Sequence, residues 1–390
     1  MWSINWRSWR LLGIGLAGVV LAAGSVALAI APYLPRLLWE GYPSATWPAP
    51  GSYATVEGSE AVAFAGASPK VAPGAGLEAL FEASEGRALL VVRHGRLTLE
   101  HYAPGIGRET RLNSYSMVKS LVAALLLKAV AEGRIASLDD PLGRYLDEVG
   151  PSLALLPIRD LADMRSGIAF EATGELGSLS PGDKDIEATR LNPFGAMGRL
   201  HMQGPSSLIG GLVVDPARRG QFSYQNVNTA LIGALLEKVY GRGLEDLLSE
   251  KIWRPAGART AAWRRYHGSS GVTAYCCLFA RPVDWAMVGH FLMHNGAADA
   301  PFLPEALWRE LLGAGLTDGE RHAGAYRLHV RHDILDREGA GLAGPFSFFF
   351  GSRGQITYLM PQQDLVVVRF GARIQKLHST LYEIGGDGLR

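Results

Sequence analysis

The sequence has very little cysteine and no excess of charge. Its two cysteines, Cys276 and Cys277, are adjacent. Neighbouring cysteines rarely form a disulfide because the geometry is strained, so we predict no disulfide framework and expect both side chains to pack in the core. The 38 basic and 37 acidic residues leave a net charge of +1. This balance provides no electrostatic basis for binding nucleic acid.

Two kinds of hydrolase signature are also missing. The chain contains no Gly-x-Ser-x-Gly sequence, which argues against an α/β-hydrolase. His290 and His294 are four residues apart in a predicted helix, but a zinc protease would need a glutamate that is missing, and no third ligand is evident. We therefore predict no metal site and no cofactor, and expect these histidines on the helix surface or in the core. His329 and His332, near Asp333, indicate a solvated polar segment.

One long apolar run is present near the N-terminus. Residues 11–31 are uncharged and long enough to span a bilayer, Arg7 and Arg10 precede them, and aromatic residues flank them. We predict an uncleaved, single-pass signal anchor in residues 1–40. A cleaved signal peptide is the alternative because residues 27–29 resemble a cleavage site. In a bacterium, the anchor would lie in the inner membrane with the following domain in the periplasm or outside the cell. Cleavage would make the domain secreted.

The rest of the chain divides into a lead-in and one large domain. Residues 41–76 are rich in Pro, Gly, Ala and Ser, which predicts a linker or irregular lead-in before a domain at residues 77–390. Within this domain, the Gly- and Pro-rich residues 171–216 are predicted to line the substrate site. Apolar runs near both ends predict strands at residues 88–93, 96–102, 346–350, 354–359 and 365–370. Helical patterns lie between them, so we expect an α+β fold whose antiparallel sheet is flanked by helices.

The most informative short motif is Ser116-x-x-Lys119. An apolar run at residues 121–132, ended by Gly133, predicts a buried helix. If Ser116 lies in its first turn, Lys119 lies on the same face and the two side chains can touch. A free lysine has a pKa of about 10.4, but burial among apolar residues can lower it enough to make Lys119 a base. The alternative is an ordinary serine at a helix N-terminus beside a solvated lysine.

Two further motifs follow this one in the chain. Tyr224 and Asn226 immediately precede a predicted helix, and an extended backbone would send both side chains the same way. A glycine-containing segment then lies at residues 351–355. In this order, the three motifs resemble those of the serine β-lactamase and penicillin-binding-protein superfamily. They are most similar to class C β-lactamase-like hydrolases of the 6-aminohexanoate-dimer hydrolase branch. The resemblance covers the predicted domain at residues 77–390.

The resemblance implies a fold and a mechanism. The fold is an antiparallel sheet flanked by helices, with a helical subdomain and the site between the two. The mechanism is acyl transfer through an ester on Ser116, with Lys119 assisting its deprotonation and Tyr224 exchanging protons with the leaving group. Asn226 would position Lys119 or the substrate. Because a lysine charge lies nearby, we expect Tyr224 to act below its free pKa of about 10.

The third motif implies an oxyanion hole and also departs from the family pattern. The expected donors are the N–H groups of Ser116 and of Ser352, just after Gly351, with Gln355 as the alternative to Ser352. Many members of the family have Lys or His before this glycine, where this chain has phenylalanine. That cation helps to bind the carboxylate of β-lactams and peptide C-termini, so we expect an esterase or amidase rather than a β-lactamase or carboxypeptidase. Arg353 is a candidate compensating cation.

These features together predict a membrane-anchored serine hydrolase. Its expected substrate is a small ester, amide or peptide-like molecule, cleaved through an acyl-enzyme intermediate on Ser116. The alternative is a non-catalytic member of the same fold that binds cell-wall peptide or a protein partner. The presence of Ser116, Lys119 and Tyr224 together favours the enzyme, because a binding module has no need of all three.

Overall fold

The structure is a computed structural model of the 390-residue chain. It describes residues 6–41, 43–60, 64, 72–170, 194–268, 271–297, 299–335, 341–376 and 378–386. For residues 6–16 and 18, only the backbone is described. Residues 171–193 belong to the segment predicted to line the substrate site, and they lie outside the described residues.

The helices and strands alternate in groups along the described chain. The strands are β1 (Tyr53–Val56), β2 (Gly86–Arg93), β3 (Arg96–Tyr102), β4 (Leu112–Asn113), β5 (Ala261–Arg264), β6 (Leu278–Ala280), β7 (Gly296–Ala297), β8 (Ala300–Pro301), β9 (Ala325–Arg327), β10 (Val330–Leu335), β11 (Gly344–Gly351), β12 (Gln355–Met360) and β13 (Leu365–Gly371). The helices are α1 (Trp6–Ile30), α2 (Leu34–Glu40), α3 (Ala75–Ala83), α4 (Val118–Ala131), α5 (Pro151–Ala154), α6 (Ile158–Ala162), α7 (Ala196–Gln203), α8 (Asn226–Tyr240), α9 (Leu244–Leu248), α10 (Pro282–Met293), α11 (Glu305–Leu311), α12 (Asp318–His322) and α13 (Ser379–Gly386).

The main sheet is antiparallel and joins the two ends of the domain. Its strand order is β3-β2-β13-β12-β11-β10-β9. Strand β2 pairs with β13, so that Val91 lies opposite Val367. The five predicted strands and the antiparallel sheet built from both chain ends are therefore confirmed. Strands β9 and β10 extend this sheet beyond the prediction.

Helices cover both faces of the main sheet. Successive residues of a strand point to opposite faces, and in β2 Leu90 packs in the core that includes α10, whereas Leu89 packs in the core that includes α3 and α13. Gly289 in α10 allows a close approach, because a Cβ atom there would lie 2.9 Å from Val366 Cγ1. Apolar side chains on both faces explain why these strands appear in the sequence as continuous apolar runs.

A helical region packs against the α10 side of the sheet. Helix α4 is its centre, since most of its side chains are fully buried, and it packs against α8. The N-terminal ends of α4 and α8 both lie near the end of β11. This arrangement brings the three sequence motifs to one place between the sheet and the helical region.

A second, smaller sheet contains part of the predicted lead-in. Its order is β1-β5-β6-β4, and β1 pairs along its full length with β5. The segment at residues 41–76 is therefore not an irregular linker throughout, because residues 53–56 form an edge strand of the domain. Strands of two to four residues are too short to show a clear alternation in the sequence.

The N-terminal helices meet at a sharp bend. Within the part of the chain described by the structure, no single helix is sufficiently long and apolar to cross a membrane. Residues 19–30 and 34–40 together have the length and apolar composition of a span, but the two helices are bent by 89° where they meet. The single-pass span predicted from the sequence is thus not confirmed. Beyond the bend, Glu40 forms a buried ion pair of 2.5 Å with Arg264, which joins the end of α2 to the domain.

Two predictions about polar residues are wrong. Cys276 and Cys277 are joined in a disulfide between chain neighbours, although Cys277 is fully buried as expected. His329 and His332 do not lie in a solvated segment but are buried, His332 within β10 of the main sheet and His329 directly before it. The Nδ1 atom of His332 lies 2.9 Å from Ser347 Oγ, so the imidazole is hydrogen-bonded within the core. The sequence analysis did not recognise this strand because it contains so many polar side chains, and Val330, Arg331 and His332 are buried in succession rather than alternately.

Candidate active site

Ser116 lies in a turn between a strand and a helix. Strand β4 ends at Asn113, a 3₁₀ turn covers Tyr115–Met117, and α4 begins at Val118. Tyr115 has a positive φ of 44°, an unfavourable conformation for a residue with a side chain. Its N–H donates to Asn113 Oδ1 at 2.8 Å and holds the turn. Ser116 therefore lies one turn earlier than the regular helix but still beside Lys119.

Lys119 is fully buried and makes three short contacts with neutral oxygen atoms. Its Nζ lies 2.9 Å from Ser116 Oγ, 2.7 Å from Asn226 Oδ1 and 2.8 Å from the carbonyl oxygen of Tyr275. Burial lowers the pKa of Lys119 well below its usual value, because an ammonium ion is poorly stabilised away from water. The environment predicted from the sequence is present, and it favours the neutral amine.

The three oxygen atoms also orient that amine. Asn226 Oδ1 and the Tyr275 carbonyl can only accept hydrogen bonds, so a neutral Lys119 donates its two protons to them. Its remaining lone pair then faces the Ser116 hydroxyl. In this state the Ser116 proton points at Lys119 and the amine can remove it. Of the two partners that the sequence analysis considered for Asn226, Lys119 and the substrate, the structure places Asn226 in contact with Lys119.

Tyr224 completes the hydrogen-bonded group around Ser116. Its hydroxyl bonds to the Ser116 side chain, and Lys119 Nζ lies 5.0 Å from the centre of its ring. Burial raises the pKa of Tyr224 to about 12, although the bond to Ser116 and the charge of Arg331 act in the opposite direction. The expectation of a pKa below 10 is therefore wrong. Tyr224 remains protonated at neutral pH and can serve as a proton donor.

The backbone around Gln225 explains why Tyr224 and Asn226 meet Lys119. Gln225 is extended, with φ of −137° and ψ of 133°. Adjacent side chains of an extended segment point in opposite directions, so Gln225 is buried on the other side and its N–H contacts Met164 Sδ. Asn226 begins α8. The spacing argument made from the sequence thus agrees with the observed positions.

The end of β11 lies directly against the turn of Ser116. A Cβ atom on Gly351 would lie 2.3 Å from the carbonyl oxygen of Ser114 and 3.2 Å from the backbone nitrogen of Ser116. Only glycine fits this approach. Ser352 follows at a partly exposed position. The expected donors to an oxyanion, the N–H groups of Ser116 and Ser352, are therefore in neighbouring segments.

The side chain of Gln355 is hydrogen-bonded within the fold, and its backbone N–H stays the predicted alternative to Ser352 as an oxyanion donor. Its side-chain nitrogen donates to the carbonyl oxygens of Ser352 and Gly371 at 2.9 and 2.8 Å, and its Oε1 accepts from the N–H of Gly371 at 3.0 Å. These hydrogen bonds of the side-chain amide stabilise the turn that follows β11. Arg353, the candidate compensating cation, adopts a positive φ of 65° and lies 5.9 Å from the Tyr115 ring.

The sequence analysis missed a buried cation near Tyr224. Arg331 in β10 is 7% exposed, and its guanidinium lies 5.4 Å from the Tyr326 ring and 5.7 Å from the Phe350 ring. Tyr326 in turn contacts the ring of Tyr224 edge-on. Arg331 thus supplies positive charge on the side of the site where the usual cation before the glycine is missing. Recognising residues 330–335 as a strand would have placed Arg331 in the sheet beside β11.

Comparison with known proteins decides the family. A model of the beta-lactamase family matches residues 77–288, more than half of the chain. The chain belongs to the beta-lactamase family. The resemblance inferred from the three motifs is therefore confirmed, and the family match begins at the predicted start of the domain.

Curated relatives of this beta-lactamase-family chain include D-aminopeptidases. The protein of Brucella ovis is 30% identical over 185 residues, which cover 45% of this chain and 32% of the relative. The protein of Brucella anthropi is 31% identical over 188 residues, with the same shares covered. The matched region thus spans about a third of the length of these relatives.

Solved structures share the fold at low sequence identity. A putative 6-aminohexanoate-dimer hydrolase from Bacillus anthracis superposes with a TM-score of 0.66 at 19% identity, covering 86% of this chain and 90% of that one. A D-stereospecific amidohydrolase from Streptomyces sp. superposes with a TM-score of 0.57 at 18% identity, covering 80% and 98%. These similarities establish the β-lactamase-like α+β fold of this chain.

Proposed function

We propose that this chain is a serine hydrolase that cleaves an amide or ester through an acyl-enzyme on Ser116. The observation that carries the proposal is the buried Lys119 amine, whose contacts leave its lone pair for Ser116 at 2.9 Å. A fully buried lysine that serves only the fold is normally paired with a carboxylate. The three contacts of Lys119 are instead with neutral oxygen atoms. The family match, which establishes a β-lactamase-type hydrolase family, supports the same conclusion.

The proposed acylation step uses three side chains. Lys119 accepts the proton of Ser116 as Oγ forms a bond to the substrate carbonyl carbon. The developing oxyanion accepts hydrogen bonds from the N–H groups of Ser116 and Ser352. The C–N or C–O bond then breaks, and Tyr224 donates its proton to the leaving group. Lys119 returns a proton to Tyr224, which leaves a neutral site and an ester on Ser116.

Deacylation reverses the proton transfers. A water molecule replaces the leaving group and loses a proton to the Lys119 and Tyr224 pair as its oxygen attacks the ester carbon. The bond to Ser116 Oγ breaks and the serine recovers its proton. The product acid leaves and the enzyme returns to its starting protonation state. No external reactant other than water is needed.

We propose amides of short peptide-like molecules as the substrate class, with D-residues tested first. Two relatives are named D-aminopeptidases and a structural neighbour is named a D-stereospecific amidohydrolase. This chain has phenylalanine at position 350, where many members of the family have a cation, and the buried Arg331 lies 5.7 Å from that ring. A matched pair of substrates, the p-nitroanilides of D-alanine and L-alanine, tests the preference for D-residues. Equal rates for the pair would contradict the D-preference without affecting the hydrolase proposal.

The nucleophile is tested by covalent labelling of the full chain in detergent. We expect a fluorophosphonate probe to add one adduct by intact mass, and Ser116→Ala to abolish it while the circular dichroism spectrum is unchanged. Ser207→Ala, a serine outside the site, serves as the matched control and should label normally. A folded wild-type chain that forms no adduct and hydrolyses no p-nitrophenyl ester would contradict the proposal. That result would favour the non-catalytic binding module.

We also propose that the N-terminal helix attaches the domain to a membrane. Apolar side chains of α1 are exposed, including Val19, Leu21 and Ile30 at 60–71%, and such a surface favours lipid over water. The buried pair between Glu40 and Arg264 then holds the domain close to the helix. Alkaline carbonate extraction of membranes from expressing cells provides the test. We expect the chain to stay with the membranes, and its complete release would contradict anchoring.

A further inference from the structure

A cluster of imidazole and carboxylate groups lies outside the candidate active site. His290 and His294 occupy successive turns of the α10 segment, with ring centres 4.3 Å apart. Asp364 faces them from the turn between β12 and β13, and its Oδ1 lies 2.8 Å from His294 Nε2. One ligand atom from each of these three residues lies within 4.8 Å of the others. The Nδ1 atom of His94 lies 3.3 Å from the second oxygen of Asp364.

The fold fixes the backbone positions of this cluster. Strands β2 and β13 are antiparallel, with Arg93 opposite Leu365, so the turn after β2 and the turn before β13 lie side by side. The N–H of His94 donates to the carbonyl oxygen of Asp364 at 3.0 Å, which locks the two turns together. Helix α10 packs on the same strands. Three elements distant in sequence therefore present their side chains to one point.

We propose that His290, His294 and Asp364 bind a divalent transition-metal ion, with zinc as the preferred ion and His94 as the fourth ligand. Two histidines four residues apart on one helix face are a common metal-binding pair. Imidazole nitrogen and carboxylate oxygen suit Zn²⁺, whereas Mg²⁺ and Ca²⁺ prefer oxygen ligands alone. The carboxylate also offsets part of the charge of the ion.

The observed spacing is compatible with coordination after small side-chain rotations. Tetrahedral zinc with bonds of about 2.0–2.1 Å requires ligand atoms roughly 3.4 Å apart. The ligand atoms of His290, His294 and Asp364 lie within 4.8 Å of one another, and the exposed fraction of the His294 side chain, 42%, leaves it room to turn. Only the histidine pair could be recognised from the sequence, because Asp364 lies 70 residues beyond His294.

The proposed ion would stabilise the fold rather than take part in the hydrolysis. Asp364 lies beyond one end of β12, while Gln355 and the Ser116 turn lie at the other end. Six residues of strand span about 17 Å, too far for the ion to contact a substrate at Ser116. Bound metal would instead join α10 to the two turns. Metal binding at this cluster does not depend on the proposed hydrolase activity.

Metal binding is tested with the full chain, purified without an oligohistidine tag and treated with EDTA. Titration with Co²⁺ should give the intense visible absorption of a tetrahedral site, saturating at one ion per chain, and Zn²⁺ should displace it. Zn²⁺ should raise the Tm whereas Mg²⁺ and Ca²⁺ should not. Fluorophosphonate labelling of the EDTA-treated chain should proceed as before.

Single-residue variants identify the ligands. His290→Ala, His294→Ala and Asp364→Asn should each weaken Zn²⁺ binding by at least about tenfold, since loss of even an outer-shell partner has that effect. The matched control His267→Gln alters an exposed histidine outside the cluster and should bind normally. Weak binding to the wild type without a tetrahedral Co²⁺ spectrum would overturn the proposal. So would unchanged Zn²⁺ affinity in His290→Ala and His294→Ala, and the wild-type spectrum decides the matter even if a variant fails to fold.

Discussion

At the scale of single residues, the site depends on which atoms can only accept a hydrogen bond. The Asn226 and Tyr275 oxygens hold two positions of the Lys119 amine, and the third faces Ser116. Sequence reasoning identified Ser116, Lys119, Tyr224 and Asn226 because their spacing is local. It missed the Tyr275 carbonyl, since any residue type can supply a backbone oxygen and only the fold determines which one lies near Lys119.

Tyr224→Phe should separate amide from ester hydrolysis. The change removes the hydroxyl that bonds to Ser116 but keeps the ring beside Lys119. An amine leaving group needs a proton from Tyr224, whereas p-nitrophenolate is stable without one. We expect the rate on p-nitroanilides to fall by roughly 10²–10⁴-fold and the rate on p-nitrophenyl esters to fall much less. Steady-state kinetics on both substrates check this, and an equal loss on both would contradict the role of proton donor.

At the scale of elements, the approach of β11 to the nucleophile turn is the most constrained feature. Gly351→Ala should shift the turn or lower the stability by about 1–3 kcal/mol, because the new Cβ atom would lie 2.3 Å from the Ser114 carbonyl oxygen. We expect a slower reaction with the fluorophosphonate probe and a lower midpoint in urea. Gly211→Ala is the matched control, since nothing lies within 4 Å of its added Cβ. Equal behaviour of the two variants would argue against the close approach.

The elements differ in how far the sequence predicts them. The long apolar segments are predicted well, since the helix expected directly after Asn226 and the one expected around His290 and His294 are present as α8 and α10. The short strands β1, β4, β5 and β6 were missed because two to four residues carry too little pattern and owe their conformation to pairing. Strand β10 was missed because Arg331 and His332 are polar yet buried by tertiary contacts.

At the scale of the whole molecule, the buried pair of Glu40 and Arg264 joins the N-terminal helices to the domain. Each side chain is 4% exposed. Glu40→Ala leaves the Arg264 charge buried, with the His201 carbonyl oxygen as a remaining acceptor. We therefore expect the free energy of unfolding to fall by about 3–5 kcal/mol. Chemical denaturation of the detergent-solubilised chain measures this loss.

An exposed ion pair provides the matched control for that measurement. Glu305 and Arg309 are 69% and 64% exposed, so Glu305→Ala should lower the free energy of unfolding by only about 0–1 kcal/mol. Equal costs for Glu40→Ala and Glu305→Ala would show that the end of α2 is not firmly attached. The sequence analysis assigned residues 1–40 to the membrane segment alone, because the partner of Glu40 lies 224 residues away.

The central claim is that a neutral Lys119 activates Ser116, and the pH dependence of fluorophosphonate labelling tests it most directly. The lysine is a base only above its pKa, and burial places that pKa well below 10.5. The labelling rate should therefore rise with pH through one ionisation at this lowered pKa. It should then remain level until Tyr224 ionises at about 12. Lys119→Ala should react with the probe much more slowly, and its labelling rate should not show this ionisation. A rate independent of pH, or normal labelling of Lys119→Ala, would contradict the account.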